Sequence, residues 1–368
     1  LSRCLSPIKA RPTVRLYVDG SYAVHIGCLE MNRHPYHGRY DAHRVGTTGS
    51  NALCSRISSL QRYVDIEACT VFIDGVAPKR KTFERQRRSK RARRPRLSCE
   101  ERSTAMDIML ASLNKLCNIH VRAVWLQRGE AEHACYTQRD ITLPSIIYTS
   151  DTDMFPITCM HRPFNADDRV FIGRDKLNIF YEAGSVRPPH VPCLAWLVLM
   201  LCRGSDYTSP LFTPTMCRAV ATMPPPVHQS ERIRRHMNAL QHMSDRAMDS
   251  DEYNADMLST TLYHLLVIIA LRWMEKSTVV SWNAVPANRP TVFVPGSYDE
   301  TIDELVWASN YMRHSTSYHR YDDEKPRGHV QPHSTYIGAF LAANCERDPP
   351  TGNITLPTFT RFVQECVQ

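Results

Sequence analysis

The stretch Gly129-Glu130-Ala131-Glu132-His133, followed after a polar turn by Ser145-Ile146-Ile147-Tyr148 and then Ser150-Asp151-Thr152-Asp153, decides how this chain reads. Its four carboxylates come as two acid-x-acid pairs. The first pair follows an apolar run from Val121 to Leu126, and the second follows the run from Ser145 to Tyr148. Both runs have the length and composition of strands. Both pairs are therefore expected at the C-terminal ends of strands, where open α/β sheets build their sites. Crowded carboxylates raise one another's pKa. Such a density of hard oxygen ligands suits a divalent cation such as Mg²⁺. One acid-x-acid pair is an ordinary feature of a solvated loop; two pairs placed alike are not.

Moving outward, Val14-Arg15-Leu16-Tyr17-Val18 reads as a strand closed by Asp19-Gly20, and Thr70-Val71-Phe72-Ile73 as another closed by Asp74-Gly75. Residues 32–50, rich in His, Gly, Arg and Tyr, read as a loop. Leu53, Ile57 and Leu60 predict a helix over 51–63, and Met106, Met109, Leu110, Leu113 and Leu116 predict one over 104–117. Pro78 is placed to open a further helix, since proline is favoured at the first helical position. The order β-α-β-α-β predicts an α/β fold, a parallel twisted sheet flanked by helices. An apolar helix over 193–202, helical character over 228–275 and a helix over 301–313 predict a helical C-terminal extension. The expected division is a processed or disordered segment 1–13, a core 14–222 and a mostly helical region 223–368 that completes it.

At 368 residues, 43% hydrophobic and 22% charged, the chain can bury a full core. Thirteen cysteines without a C-x-x-C pair suggest neither a disulfide framework nor a zinc site. That points to a reducing intracellular compartment, the cytoplasm first, with an organelle or a virion as alternatives. The stretch from Leu262 to Met274 contains His264 and Arg272 and reads as a core helix rather than a membrane span. No membrane partner is expected. A start at Leu1 with no acid before Asp19 fits a trimmed N-terminus.

The positive charge is concentrated. Residues 79–96 carry eleven Lys and Arg against the single Glu84, a net of +10 in a chain of net +8, which leaves −2 elsewhere. A patch this dense is a phosphate-binding feature when it adjoins a site, and a solvated helix or localisation signal when it does not. Here it begins five residues after Asp74.

Asp19, Asp74, Glu130, Glu132, Asp151 and Asp153 all close predicted strands, and Asp206 follows a predicted helix end. Any one alone is more often a turn residue or helix cap. Together at one sheet edge they would need cations, and a pair of metal ions is the economical arrangement.

Taken as a set, Val18-Asp19-Gly20, Ile73-Asp74-Gly75-Val76-Ala77-Pro78, Gly129 to His133, Ser150 to Asp153 and Gly204-Ser205-Asp206-Tyr207 resemble the 5′ nuclease superfamily. That superfamily includes flap endonucleases and the XRN 5′→3′ exoribonucleases. The resemblance covers about residues 14–210, with a further patch near 305–321. It implies a PIN-like core with two Mg²⁺ ions, for which Mn²⁺ could substitute. Asp74, Glu130 and Glu132, with Asp19 close by, would hold one ion, and Asp151, Asp153 and Asp206 the other. The phrase from Asp74 to Lys81 is similar to the XRN segment that opens a 5′-phosphate pocket. Lys81, Arg85 and Arg88 fall at i, i+4 and i+7, on one helix face. Lys81 and Arg88 match basic residues that the family uses on phosphate, whereas Arg85 stands where XRNs usually have Gln. His25 matches an XRN histidine that stacks on a nucleobase. Leu305 to Tyr311 with Ser317 to Tyr321 looks like the XRN helix and turn that complete the base stack. The tryptophans of that turn are missing, and Tyr318 or Tyr321 would replace them.

No glycine occurs between Gly204 and Gly296, where flap endonucleases carry a duplex-gripping helical turn. Gly204-Ser205-Asp206-Tyr207, in contrast, is spelled more like the flap enzymes. The resulting expectation is a short, divergent Mg²⁺-dependent 5′→3′ exonuclease on single-stranded RNA with a 5′-monophosphate, reading backbone and end rather than sequence. The rivals are a structure-specific flap nuclease on DNA or RNA, and an RNA-binding subunit of a larger ribonucleoprotein or viral particle. A plain nucleotide-binding domain lacks its Gly-rich phosphate loop.

Overall fold

A computed structural model describes residues 11–33, 41–78, 81, 97–116, 119–149, 151–160, 169–174, 179–183, 187–205, 207–208, 211–212, 214–276 and 295–314. The described strands are β1 (Thr13–Asp19), β2 (Asp65–Ile73), β3 (His120–Trp125), β4 (Ser145–Tyr148), β5 (Val170–Arg174) and β6 (Ile179–Glu182). They form one sheet in the order β3-β2-β1-β4-β5-β6. The first five run parallel, and β6 closes one edge antiparallel to β5. This is the α/β architecture that the strand order predicts. Leu16, Tyr17 and Val18 of β1 are buried in succession. A parallel strand covered on both faces reads as an apolar run for this reason. The chain winds from β1 outward to β2 and β3, then crosses back to β4 beside β1 and on to β5. The order therefore reverses at β1, and the strand ends there open the crevice in which such sheets place their ligands.

Helices α1 (Gly20–Arg33), α2 (Ala42–Leu60) and α3 (Cys99–Leu116) form one core with alternate strand residues. Tyr22, Ile26, Leu53, Ile57, Met109 and Leu113 pack with Val14, Leu16, Val18 and Ile146. The start of α3 is fixed by a reciprocal cap. Ser98 Oγ accepts from Glu101 N at 3.1 Å, and Glu101 Oε2 accepts from Ser98 N at 2.7 Å.

The loop expected over 32–50 is corrected in part: residues 42–50 are the first half of α2. Its glycines serve a close helix crossing rather than a turn. A Cβ on Gly46 would lie 2.5 Å from Ala105 O, and one on Gly27 of α1 would lie 2.3 Å from Val45 O. Small residues and polar side chains at such a crossing imitate loop composition.

The chain divides into two compact units. The first is Leu1–Met154 with Pro163–Gly184 and Ser315–Glu324, and it holds the sheet. The second is Phe155–Arg162 with Ser185–His314 and Lys325–Gln368. Helix α4 (Ala131–Thr137) belongs to the first unit, and α5 (Met154–Met160) begins at its last residue. The second unit contains α6 (Cys193–Cys202), α7 (Pro214–Ala221), α8 (Glu231–Asp249), α9 (Ala255–Lys276) and α10 (Pro295–His314). Asn310 of α10 grips the backbone between α8 and α9. Its Oδ1 accepts from Tyr253 N at 2.8 Å, and its Nδ2 donates to Tyr253 O at 2.9 Å. His236 and His264 meet inside this unit, Nδ1 to Nδ1 at 2.8 Å. Among the described residues no helix is long and apolar enough to cross a membrane.

Candidate metal centre

Asp19 is the last residue of β1, and Asp74 follows the last residue of β2. In each case the next residue is glycine because the neighbouring backbone is too close for a side chain. A Cβ on Gly20 would lie 2.8 Å from Phe72 O, and one on Gly75 would lie 2.4 Å from Arg128 N. Glu130 reaches the same edge by a longer route. After β3 the chain runs beside residues 75–76, with Val76 N donating to Gln127 O at 3.1 Å and Gly75 N to Gly129 O at 3.0 Å. Gly129, at φ 85°, then turns the chain into α4. Glu130 precedes that helix, and Glu132 and His133 lie in its first turn. Val18 pairs with Tyr148, so Thr149 is level with Asp19, and Asp151 and Asp153 follow it.

Hydrogen bonds fix the direction of these carboxylates. Asp19 Oδ1 accepts from Tyr22 N at 3.2 Å, and its Oδ2 accepts from Thr149 Oγ1 at 3.0 Å. Asp74 Oδ1 accepts from Ala131 N at 2.8 Å, and its Oδ2 accepts from Ser21 Oγ. Asp151 N donates to Thr149 Oγ1 at 3.0 Å, while Asp151 Oδ1 accepts from Asp153 N at 2.9 Å. Lys81 Nζ is ion-paired with Glu130 Oε1, and both side chains are buried. The hydroxyls of Ser21 and Thr149 were missed at the sequence level. Only their positions, two residues after Asp19 and two before Asp151, could have signalled them.

Burial and mutual repulsion govern the electrostatics. Burial, reinforced by the charges of Asp74 and Asp151, lifts Asp19 from 3.8 to about 7. Burial lifts Glu132 well above the usual carboxylate range, and Glu130 and Asp151 push it the same way. Burial also raises Glu130, opposed chiefly by Lys81. The Cys135 thiol is pushed well up by burial, then by Asp19, Glu132 and Asp74, which disfavours the reactive thiolate. These residues fit a divalent cation. Glu130 Oε2 is buried without a hydrogen-bond partner among the described residues. Glu130, Glu132 and His133 each offer a ligand atom, all within 4.8 Å of one another. His133 belongs to the motif that marks the site, although no role for it follows from the sequence alone.

Of the other predicted residues, His25 is exposed on the second turn of α1, which begins immediately after Asp19. Asp206, Arg85, Arg88, Tyr318 and Tyr321 lie outside the described residues, as does the helix expected after Pro78 apart from Lys81. The residue after Asp206 is described. Tyr207 is fully buried, its ring centroid 5.6 Å from Trp307 and 5.2 Å from Tyr311. Trp307 and Tyr311 stack on each other at 5.0 Å and 6°. The aromatic face of the 305–311 segment is therefore core of the second unit.

Solved 5′-nuclease structures are similar to this chain. The bacteriophage T5 5′-exonuclease with bound zinc is 14% identical, with a TM-score of 0.35, covering 71% of this chain and 93% of that one. A bacteriophage T5 flap endonuclease in a pseudo-enzyme–product complex with DNA and metal ions is 13% identical, with a TM-score of 0.34 and coverages of 81% and 98%. The catalytic core of Rad2 in complex with DNA substrate is 14% identical, with a TM-score of 0.41 and coverages of 96% and 90%. At such scores the likeness fixes neither reaction nor substrate for this chain. No protein-family model matches it, and no curated protein does.

Proposed function

We propose that this chain is a metal-dependent 5′ nuclease that hydrolyses single-stranded RNA from a 5′-monophosphate end. One observation carries the reading: carboxylates delivered from the ends of β1 and β2, from the start of α4 and from the segment after β4 share one electrostatic field. Asp74 and Asp151 act on Asp19, and Glu130, Asp151 and Asp19 act on Glu132. A scaffold has no use for buried carboxylates that repel one another, whereas phosphodiester hydrolysis needs cations held in place. Asp74, Glu130 and Glu132, with Asp19 beside them, would hold one Mg²⁺; Asp151, Asp153 and Asp206 would hold a second. Bound cations supply Lewis-acid stabilisation of the charge developing on the phosphate and lower the pKa of water.

The chain's own residues orient and neutralise. Thr149 aims Asp19, and Ser21 with the Ala131 N–H aims Asp74, so the ligand oxygens are directed before a cation arrives. Lys81, Arg85 and Arg88 would receive the 5′ phosphate, and His25, exposed on α1, would stack on the terminal base. The test is degradation of labelled single-stranded RNA with Mg²⁺, comparing 5′-monophosphate with 5′-hydroxyl ends and wild type with Asp151→Ala. Mononucleotide release from phosphorylated ends alone, abolished by the substitution, is expected. Preferential cutting of a DNA 5′ flap would replace this reading with a flap nuclease. Binding without cleavage would replace it with an RNA-binding subunit.

A further inference from the structure

We propose that Lys81 is the internal counter-cation of Glu130 and is displaced by the incoming divalent ion, so that metal binding releases its ammonium to the substrate phosphate. The proposal rests on the metal-centre reading above and adds an order of events to it.

Three observations carry it. Lys81 is only 8% exposed, and Glu130 is 4% exposed. Lysine is rarely buried unless paired, and here its ammonium is held by Glu130 Oε1. The ion pair satisfies only part of the site, because Glu130 Oε2 remains buried without a hydrogen-bond partner among the described residues. The charge of Lys81 also faces several carboxylates. Lys81 acts on both Glu130 and Glu132, while Asp74, Asp151 and Asp19 add to the negative field there.

A dication competes well for this position. It brings twice the charge, and it can use Glu130, Glu132 and His133 together, whose ligand atoms lie within 4.8 Å of one another. A buried ion pair gives up much of its Coulomb gain to desolvation, so its exchange for a metal contact is not steeply opposed. Lysine suits the exchange because its head is a compact charge on a flexible stem, with no rigid fork to unlock. Once displaced, the ammonium remains beside the metal centre, where a phosphate oxygen of the substrate is its natural acceptor. The coupling is reciprocal: the metal promotes phosphate binding, and phosphate promotes metal binding. The resemblance to other nucleases implies Lys81 on phosphate directly; the ion pair adds a second acceptor for its ammonium, Glu130 Oε1.

The test measures binding without turnover. Calorimetric titration of the full chain with Mn²⁺, in the absence of nucleic acid, should show Lys81→Met binding the ion about tenfold more tightly than wild type, because an internal competitor is gone. Unchanged or weaker binding would overturn the proposal. A second measurement needs no variant. Acylation of Lys81 in the wild-type protein by an amine-reactive reagent, followed by mass spectrometry, should become several-fold faster at saturating Mn²⁺. Equal or slower labelling would also overturn it. Equal binding by wild type and variant removes only the role of Lys81, whereas no binding by either removes the metal-centre reading itself.

Discussion

At the scale of single residues, the site trades stability for ligand charge. Glu132 is buried among the charges of Glu130 and Asp151 without an ion-pair partner of its own in the described set. Glu132→Gln keeps the shape and removes the repulsion. In chelator it should raise the melting temperature, while metal-dependent cleavage should fall by on the order of 10³-fold, the loss expected when several kcal/mol of metal stabilisation goes. Unimpaired cleavage would exclude Glu132 as a ligand. Thr149 makes a subtler prediction. Its hydroxyl donates to Asp19 and accepts from Asp151 N, and so links two of the proposed ligands. Thr149→Val should weaken Mn²⁺ binding by about 10–100-fold, as loss of an orienting partner of a metal ligand does. Calorimetry on the folded variant measures this directly, and wild-type affinity would show that the hydroxyl is only structural.

At the scale of elements, two contacts hold the helices together in ways open to separate tests. The crossing of α1 and α2 depends on Gly27, where any Cβ meets the Val45 carbonyl. The clash is with backbone, so no rotamer change relieves it. Gly27→Ala should cost about 1–3 kcal/mol, seen as a lowered denaturation midpoint. In the helical unit, burial lowers His236 from 6.5 to about 4. Burial and then the His236 charge lower His264 to about 3. The folded state therefore refuses protons that the unfolded chain takes up. The histidines' contribution to stability is constant above pH 6.5, falls as pH drops from there towards about 4, and levels off only below both folded values. The slope is roughly 1.4 kcal/mol per pH unit for each histidine. The raised Asp19 gives the opposite slope over the same range, so the loss is read as the difference between wild type and His264→Leu in denaturant melts at pH 7 and 5. An equally steep profile in that variant would place the titration elsewhere.

At the scale of the whole molecule, charge is divided between an acidic sheet edge and a basic stretch. Residues 79–96 carry a net +10, yet the rest of the chain is at −2. Nucleic-acid affinity should therefore fall steeply with salt. Replacing Arg85 and Arg88 with Gln should reduce the log–log slope for single-stranded RNA by about 1.4, two phosphate contacts at roughly 0.7 each. An unchanged slope would remove these arginines from the interface. Because they match no base-reading pattern, the effect should be alike for different sequences.

The sequence by itself determined the strands β1 to β4 and the address of the acids, whereas β5 and the antiparallel β6 came only with the tertiary structure. Strand runs, their order and the residues that close them are local properties. In a parallel sheet every strand's C-terminal end lies on the same edge, so Asp19, Asp74, Asp151 and Asp153 could be assigned to that edge unaided. Residues 42–50 were misread because a glycine-bearing helix crossing and a loop share a composition. Which partners the functional side chains take was decided only by the tertiary structure. Lys81 and Glu130 are 49 residues apart, Thr149 and Asp19 are 130 apart, and no periodicity connects them. The same holds for the burial of Trp307 and Tyr311 against Tyr207, which turns a segment suggestive of base stacking into core. Local geometry sets where a side chain starts; the distance that packing leaves to its neighbours sets what it binds.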